Sequence, residues 1–399
     1  VSESYDAIVV GGRCAGSTAA LGLARAGWSV LVIDRDEAGS DTLSTNGLWP
    51  NTLARLDRLG ALEKMRSKHE LREVEHRFRV FETELIGGWE PIDGFSKSIA
   101  PRRSVLDSAL AELASEAGAE MRFGQKVSGV LGAGTAADPV RGVLTSEGEE
   151  IEAPWVIGAD GRASTVASSL GLPKRGELRG EMAMLFAYWR GLPDSPYMNM
   201  HAERHGVLTW GVCEDGVQLV IFNCPPEAAT GGARAREAAY LEGIGSFPAT
   251  LDPATIPAAE RVSPLYAAPE SMLRGFYRPA AGPGWALAGD ACHFKHPASA
   301  QGIADAIEHG VRLAECLAGE DPGLETYEAW RDERGVEHYE WSFEFARFPT
   351  DAARVLWARV AEEPEAAQDF RGTLSRQVRP RSEFLTPERL GRWFGKMAA

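Results

Sequence analysis

Between Tyr5 and Asp34 the chain reads as strand, glycine turn, helix and second strand, and this run constrains the fold more than any other part of it. Tyr5-Asp-Ala-Ile-Val-Val10 is an apolar stretch ending on Gly11-Gly12-Arg13-Cys14-Ala15-Gly16. Ala15 to Ala26 is rich in Ala and Leu until Gly27 stops it, and Trp28 to Ile33 is a β-branched strand that ends on Asp34. A dinucleotide-binding turn needs a first glycine for tightness, a second for approach to pyrophosphate and a third for helix–strand packing. Gly11 and Gly16 fill the first and third places, and Arg13 stands in the second. Arg13 either offers its backbone N–H with the side chain turned outward or pairs its guanidinium with a phosphate. The helix beginning near Ala15 aims its positive end at the pyrophosphate. Asp34 is placed to accept hydrogen bonds from ribose hydroxyls.

Two later segments repeat the glycine–aspartate theme: Gly158-Ala159-Asp160-Gly161 after a short apolar run, and Gly289-Asp290-Ala291 after Trp285-Ala-Leu-Ala288. Between them the pattern changes. Residues 72–90 alternate in part (Val74, His76, Phe78, Val80), and 181–223 is rich in strands, with an Asp215-Gly216 hairpin turn. Helices are expected over 50–66, 103–117 and 233–244, and almost continuously from Ala300 onward. The expected fold is α/β (α+β): a Rossmann-like nucleotide domain from residues 1–72, 96–180 and 278–320, interleaved with an antiparallel-sheet substrate domain from 73–95 and 181–277, and closed by C-terminal helices over 321–399. The aromatics of that last stretch, among them Tyr327, Trp330, Trp341, Phe345 and Phe348, fall at helical spacing and read first as core. Closure of a site, or a dimer face, is the second reading.

Composition narrows the partners. Basic residues number 42 against 57 acidic ones, a net charge of −15, which repels phosphate backbones and anionic lipid. No nucleic acid or membrane partner is expected. The five cysteines show neither CxxC pairing nor zinc spacing, so no metal is expected and a reducing compartment fits. There is no apolar run of about 18 residues and no basic region leading into an apolar stretch near the start. A cytoplasmic location follows as the expectation.

Taken together, Val10 to Gly16, Asp34-Arg35, Arg103-Ser-Val-Leu-Asp107, Val156 to Ser164, and Gly289-Asp290-Ala291-Cys-His293…Pro297…Gln301-Gly302 resemble the class A flavoprotein monooxygenases, the aromatic hydroxylase family typified by para-hydroxybenzoate hydroxylase. Flavin halogenases and geranylgeranyl reductases are close relatives of that family. The resemblance spans roughly residues 5–320 and implies FAD. It implies that Gly11, Gly12, Arg13, Ala15, Gly16, Asp34, Arg35 and Val127 bind FAD, and that Asp160 and Gly161 belong to a segment tied to FAD and to productive NAD(P)H use, with Asp160 bonding ribose or nearby backbone. Gly289 and Asp290 would hold the ribityl chain, and Pro297 with the backbone of Gln301, Gly302 and Ile303 would face the flavin ring. A helix start there stabilises the negative charge of a reduced flavin. Arg103 would lie near the flavin or its pyrophosphate, with Arg102 as the alternative. Ser44 and Thr45 either bond the flavin or cap the following helix.

The chain departs from the family pattern in places. His296 replaces a proline and Ala300 a glycine, so His296, with Pro297, is a candidate to face the ring or the substrate; the alternative is a solvated loop side chain. Ala167 stands where the family commonly has an arginine tied to nicotinamide use, so the electron source is either NADPH or NADH directly or a partner flavin reductase. The resemblance implies insertion of one oxygen atom from dioxygen, through a flavin C4a-hydroperoxide, into an aromatic or polycyclic small molecule. Tyr188, His201, Trp210 and Phe222 are the candidate substrate contacts on the strand block. Prenyl-chain reduction, halogenation and a non-catalytic flavin-binding role stay as alternatives. The halogenase pattern W-x-W-x-I-P and the prenyl reductase pattern Y-x-W-x-F-P are both missing near Trp210. The assembly is expected to be a monomer or homodimer.

Overall fold

The computed structural model describes residues 4–42, 44, 46–268, 270–319 and 323–395. Ala7–Val10, buried at all four positions, lies at the centre of a six-stranded sheet. It pairs in parallel with Val30–Ile33 on one side and Trp155–Gly158 on the other. Glu120–Arg122 and Trp285–Leu287 extend the two sides, again in parallel, and the short antiparallel Ala281–Gly282 finishes one edge. Ala7, Val9, Val30 and Val32 pack on one face while Ile8, Val10, Leu31 and Ile33 pack on the other. A strand covered on both faces has no polar side, which is why these segments read as unbroken apolar runs. The helix Cys14–Arg25 packs against Arg103–Glu116 and Gly302–Ala318. Close approach to the latter needs glycine: a Cβ at Gly310 would stand 2.6 Å from the Ala15 carbonyl oxygen.

The second sheet has eight strands and is antiparallel apart from one pair. Thr83–Gly87, Glu75–Val80, Tyr197–Glu203, Gly206–Val212, Gln218–Cys224 and Ala183–Arg190 lie side by side. The exception is Glu75–Val80 with Tyr197–Glu203, which run parallel. One face, carrying Leu185, Trp189, Leu208, Trp210, Val220 and Phe222, packs on the helix Ala233–Gly245. The opposite face carries Met184, Phe186, Tyr188, Met198, Leu219 and Ile221. Toward Phe78 and Leu85 that face is covered by C-terminal helices, including Tyr327–Phe345, Asp351–Glu362 and Pro364–Leu374. An interleaved Rossmann-like sheet, an antiparallel sheet and a helical C-terminus make up the architecture.

The structure differs from the sequence pattern at one helix. The stretch 50–66 divides into Pro50–Leu59 and Ala61–Arg66, because Gly60 adopts φ +87°, a left-handed conformation that ends the first helix. Among the described residues no helix is long and apolar enough to cross a membrane.

Candidate functional site

The three glycine–aspartate segments meet. Gly11 has φ +101°, and a Cβ there would lie 2.5 Å from the Ala159 carbonyl oxygen, so the first turn rests on the middle segment. A Cβ at Gly16 would stand 1.8 Å from the Gly11 carbonyl oxygen, and one at Gly289 (φ +59°) would be 2.9 Å from Ala15 Cβ. Three separate stretches thus pack against one another around one crevice, closely enough that none of these glycines has room for a side chain.

The polar groups of that crevice are partly committed. Asp34 Oδ2 accepts from the Gly12 N–H at 2.6 Å and Oδ1 from the Asp36 N–H at 2.9 Å, which fixes the carboxylate at the strand end. Asp160 Oδ2 accepts from the Thr165 N–H at 2.6 Å, and its Oδ1 is buried with no partner. Gly161, at φ +76°, has open space above it. Asp290 makes no hydrogen bond among the described residues; burial pushes its carboxyl up to about 6, against the pull of Arg103 and Arg162. Arg103 pairs with Asp107 at 2.9 Å and is the inward arginine. Arg102 instead turns to the buried Glu214, its backbone N–H donating to Oε2 at 2.9 Å.

The helix Gly302–Ala318 starts after Ala300, which sits at φ +50°. Gln301 sends its side chain away, Nε2 donating to the Thr373 and Leu374 carbonyls at 2.8 and 3.0 Å. The first-turn N–H groups of Gly302 and Ile303 have no intrahelical acceptor, as at any helix start. Beneath them, Lys295 Nζ lies 2.8 Å from Asp305 Oδ2, and Arg376 pairs with Asp305 at 2.5 Å and Glu308 at 2.9 Å. This buried cluster ties the flavin-side segment to the C-terminal helices. Open helix-start amides, an unpartnered carboxylate and glycines that let backbone come close suit a pyrophosphate-linked dinucleotide with a polyol chain. A smaller cavity of about 240 Å³ lined by Gly12, Asp34, Asp36 and Ser40 continues the crevice.

A larger cavity of about 480 Å³ opens where Asn46 and Gly47 face Pro297, Ala298 and Ala300. Its floor is the methionine-rich sheet face (Met184, Met198, Met200, Ile221) and its roof comes from Trp341, Phe345, Phe348, Trp357 and Phe370. Trp49 braces the junction, its Nε1 donating to the Ser299 carbonyl at 3.1 Å. Of the charged residues on its walls, Arg347 is exposed and Glu344 pairs with Arg381.

Several expected positions require correction. His201, Trp210 and Phe222 lie on the face of the sheet away from this cavity. His201 contacts Thr250 Oγ1 at 2.7 Å, Trp210 Nε1 donates to the Thr250 carbonyl at 3.0 Å, and Phe222 wedges against Gly243. Side chains alternate along a strand, so the residues that line the cavity share a parity: Met182, Met184, Met198, Met200 and Ala202 on one pair of strands, and Val207, Thr209, Leu219, Ile221 and Asn223 on the other. Tyr188 has the right parity but is buried deeper, where its hydroxyl accepts from Asn46 Nδ2 at 2.7 Å. His296 is neither a solvated loop residue nor a free base. Its Nε2–H donates to the Met182 carbonyl at 3.0 Å, its Nδ1 accepts from the Ala298 N–H at 3.2 Å, and burial lowers it to about 4. It fastens the turn that presents Pro297, which does line the cavity.

Arg13 spends its guanidinium on Asp107 and Asp36, at 2.9 and 3.0 Å, rather than leaving it for a phosphate. Arg35 is exposed, and its contact with Asp36 is 3.9 Å long. The Val127 side chain is buried in the core, so only its backbone could touch a nucleotide. Ser44 is half-buried, and Thr45 lies outside the described residues. The sequence reading missed Trp49 and the methionine face. The strand parity of Met182, Met184 and Tyr188 carried that signal.

Comparison with known proteins agrees with this geometry. Residues 4–233 match the FAD binding domain family. Among curated proteins, a menaquinone reductase of Mycolicibacterium smegmatis is 28% identical over 353 residues, covering 86% of this chain and 83% of that one. Among solved structures, a flavoprotein/dehydrogenase from Cytophaga hutchinsonii superposes with a TM-score of 0.77 at 18% identity, over 94% of this chain and 93% of that one. CabE, an aromatic hydroxylase from angucycline biosynthesis, gives 0.70 at 22% identity, over 94% of this chain and 76% of that one. At such identities the structural likeness speaks for the fold alone.

Proposed function

The chain belongs to the FAD binding domain family, an FAD-dependent oxidoreductase by that membership, and from this premise we propose that it reduces a carbon–carbon double bond in a long or polycyclic apolar substrate. One observation carries the reading: the cavity beside the Pro297–Ala300 turn is walled mostly by methionine, aromatic and aliphatic side chains, and among the described residues its two charged wall residues are the exposed Arg347 and Glu344, which pairs with Arg381. A site built for a phenolate or carboxylate would hold a buried, uncommitted Arg or Lys. The Mycolicibacterium relative, matched over most of both chains, is named a menaquinone reductase, which supports reduction of an apolar quinone-bearing substrate as the class of reaction.

When bound, FAD supplies two-electron transfer. In this chain Gly11, Gly12, Ala15 and Gly16 with the start of the first helix would hold the pyrophosphate, Asp34 the ribose, Asp290 a ribityl hydroxyl, and the N–H groups of Gly302 and Ile303 the pyrimidine edge. Pro297, fastened through His296, sets the cavity wall at the ring. The apolar walls bind the substrate by removing it from water, each buried methylene contributing about 0.8 kcal/mol. They also keep water from the reacting carbon. NADPH, NADH or a partner flavin reductase is the electron source.

Oxygen insertion is the second reading, because the same largely apolar cavity would serve it as well. One experiment separates them: the FAD-loaded protein is reduced with NADPH, NADH or dithionite and offered polyprenyl quinones and polycyclic aromatics, without and with dioxygen. A product that keeps two added hydrogens after its quinone ring is reoxidised in air, so that they sit on carbon, supports carbon–carbon reduction; hydrogens lost on reoxidation mark only quinone-to-quinol transfer, which dithionite does unaided, and overturn it. A gain of one oxygen that requires dioxygen overturns it in favour of the second reading, and no product in either arm defeats both.

A further inference from the structure

The cavity contains one buried titratable side chain, His76. It is 4% exposed on the strand Glu75–Val80, on the same face as Phe78 and Val80. Its ring is held on three sides, with centroids 4.9 Å from Trp49, 5.0 Å from Trp89 and 5.2 Å from Phe78. Nε2 lies 2.6 Å from Ser98 Oγ, while Nδ1 has no hydrogen-bond partner among the described residues. Burial, with Arg371 nearby, lowers His76 to about 3, so the imidazole is neutral at physiological pH. The Ser98 hydroxyl also lies 3.4 Å from the Val74 carbonyl, a longer contact than the one to Nε2. With the hydroxyl proton directed to Nε2, Nδ1 carries the imidazole proton and can donate. Through Trp49, whose Nε1 donates to the Ser299 carbonyl, the ring stands one side-chain layer from the Pro297–Ser299 turn, which would border a bound flavin.

An unpaired N–H facing an apolar chamber is costly unless something accepts its hydrogen bond. We propose that Ser98 donates to His76 Nε2, so that Nδ1–H of His76 receives a carbonyl or hydroxyl oxygen of an otherwise apolar substrate and so fixes how deep the hydrocarbon body would sit relative to a bound flavin. The proposal rests on reading this cavity as the substrate site. It adds to that reading a chemical class, an apolar skeleton bearing an acceptor oxygen, and a positioning residue. Ser98 acts through His76 and does not touch the substrate.

The test uses the FAD-loaded protein and two probes of nearly equal shape, 2-methyl-1,4-naphthoquinone and 2-methylnaphthalene, titrated by calorimetry. His76→Gln keeps a polar atom toward Ser98 but withdraws the one at Nδ1, and His76→Asn does the reverse. Loss of one hydrogen bond in an apolar site corresponds to about tenfold in affinity. The expected result is that His76→Gln binds the quinone about tenfold more weakly and the hydrocarbon within about twofold of the parent, with His76→Asn recovering most of the quinone affinity. Ser98→Ala, which frees the tautomer, should weaken quinone binding by a smaller factor. Equal losses for both probes would mark His76 as a packing residue and overturn the proposal, as would unchanged quinone affinity in both His76 variants. If neither probe binds the parent protein, the cavity itself is not the substrate site, and the proposed function fails along with the inference.

Discussion

The nucleotide crevice and the apolar cavity share a border at Pro297–Ala300, yet they are built by opposite means. The crevice is made of backbone: glycines that permit contacts no Cβ would tolerate, helix starts with open amides, and carboxylates at strand ends. The cavity is made of side chains drawn from the sheet, the 46–49 loop and the C-terminal helices, most of them apolar and in contact through packing rather than directed bonds. A backbone site is therefore brittle to single substitutions, and a side-chain cavity is tolerant of them.

Gly16→Val puts the largest strain on that contrast. With a Cβ only 1.8 Å from the Gly11 carbonyl oxygen, the turn cannot close. The expected outcome is complete loss of the visible flavin absorbance together with a destabilisation of about 3 kcal/mol or more. A Gly16→Val protein that purifies yellow would show that the crevice tolerates side chains after all.

Next in size is Phe222→Ala, which empties the space against Gly243 and Gly206 on the face remote from the cavity. It should cost about 3–5 kcal/mol in chemical denaturation, with flavin content and apolar-ligand affinity unchanged. Lost ligand affinity in the still-folded variant would mean that the two faces of the sheet are coupled.

Asp290→Asn separates stability from binding inside the crevice. The folded-state pKa of Asp290 is raised, from an ordinary 3.8 to about 6, so the native protein without flavin binds the extra proton and its stability falls as pH rises between those values. The cost is fully present above about 6 and absent below the ordinary value. Asparagine removes this pH dependence, so the flavin-free variant should be the more stable of the two at neutral pH and should lose the slope in thermal melts. Its FAD affinity should fall by about tenfold or more, since the charged acceptor for a hydroxyl is gone. A flavin-free variant that keeps the slope would place the titration elsewhere.

The same contrast explains what could be read from the sequence. Gly11, Gly16, Asp34, Asp160 and Asp290 were legible because backbone geometry leaves few residue types for each position. So were the buried parallel strands, whose apolar runs admit little else. The cavity was not legible in this way. Its roof comes from Trp341, Phe345 and Phe348, residues whose spacing is equally that of ordinary helix packing, and their partner Met200 is far away in the sequence. The parallel pairing of Glu75–Val80 with Tyr197–Glu203 leaves no local trace, since its register is set by tertiary contact. Choosing aromatic residues as substrate contacts misplaced His201, Trp210 and Phe222, because residue type was weighed above strand parity.

Parity also gives the smallest and sharpest test, using two neighbours on one strand. Thr209 points into the cavity and Trp210 points toward the Ala233–Gly245 helix side, where its Nε1 donates to the Thr250 carbonyl. Trp210→Phe should lower stability by about 1 kcal/mol for the lost hydrogen bond and some packing, and leave ligand binding alone. Thr209→Val keeps the shape and removes a hydroxyl from an apolar wall, so stability should change by less than about 0.5 kcal/mol. Affinity for a hydrocarbon probe should rise a fewfold. The two substitutions are one residue apart, and a sheet of period two is the reason their readouts should not overlap. A one-residue slip in register would exchange them, with Trp210→Phe altering ligand affinity and Thr209→Val altering stability. That exchange would place the cavity on the wrong face of the sheet.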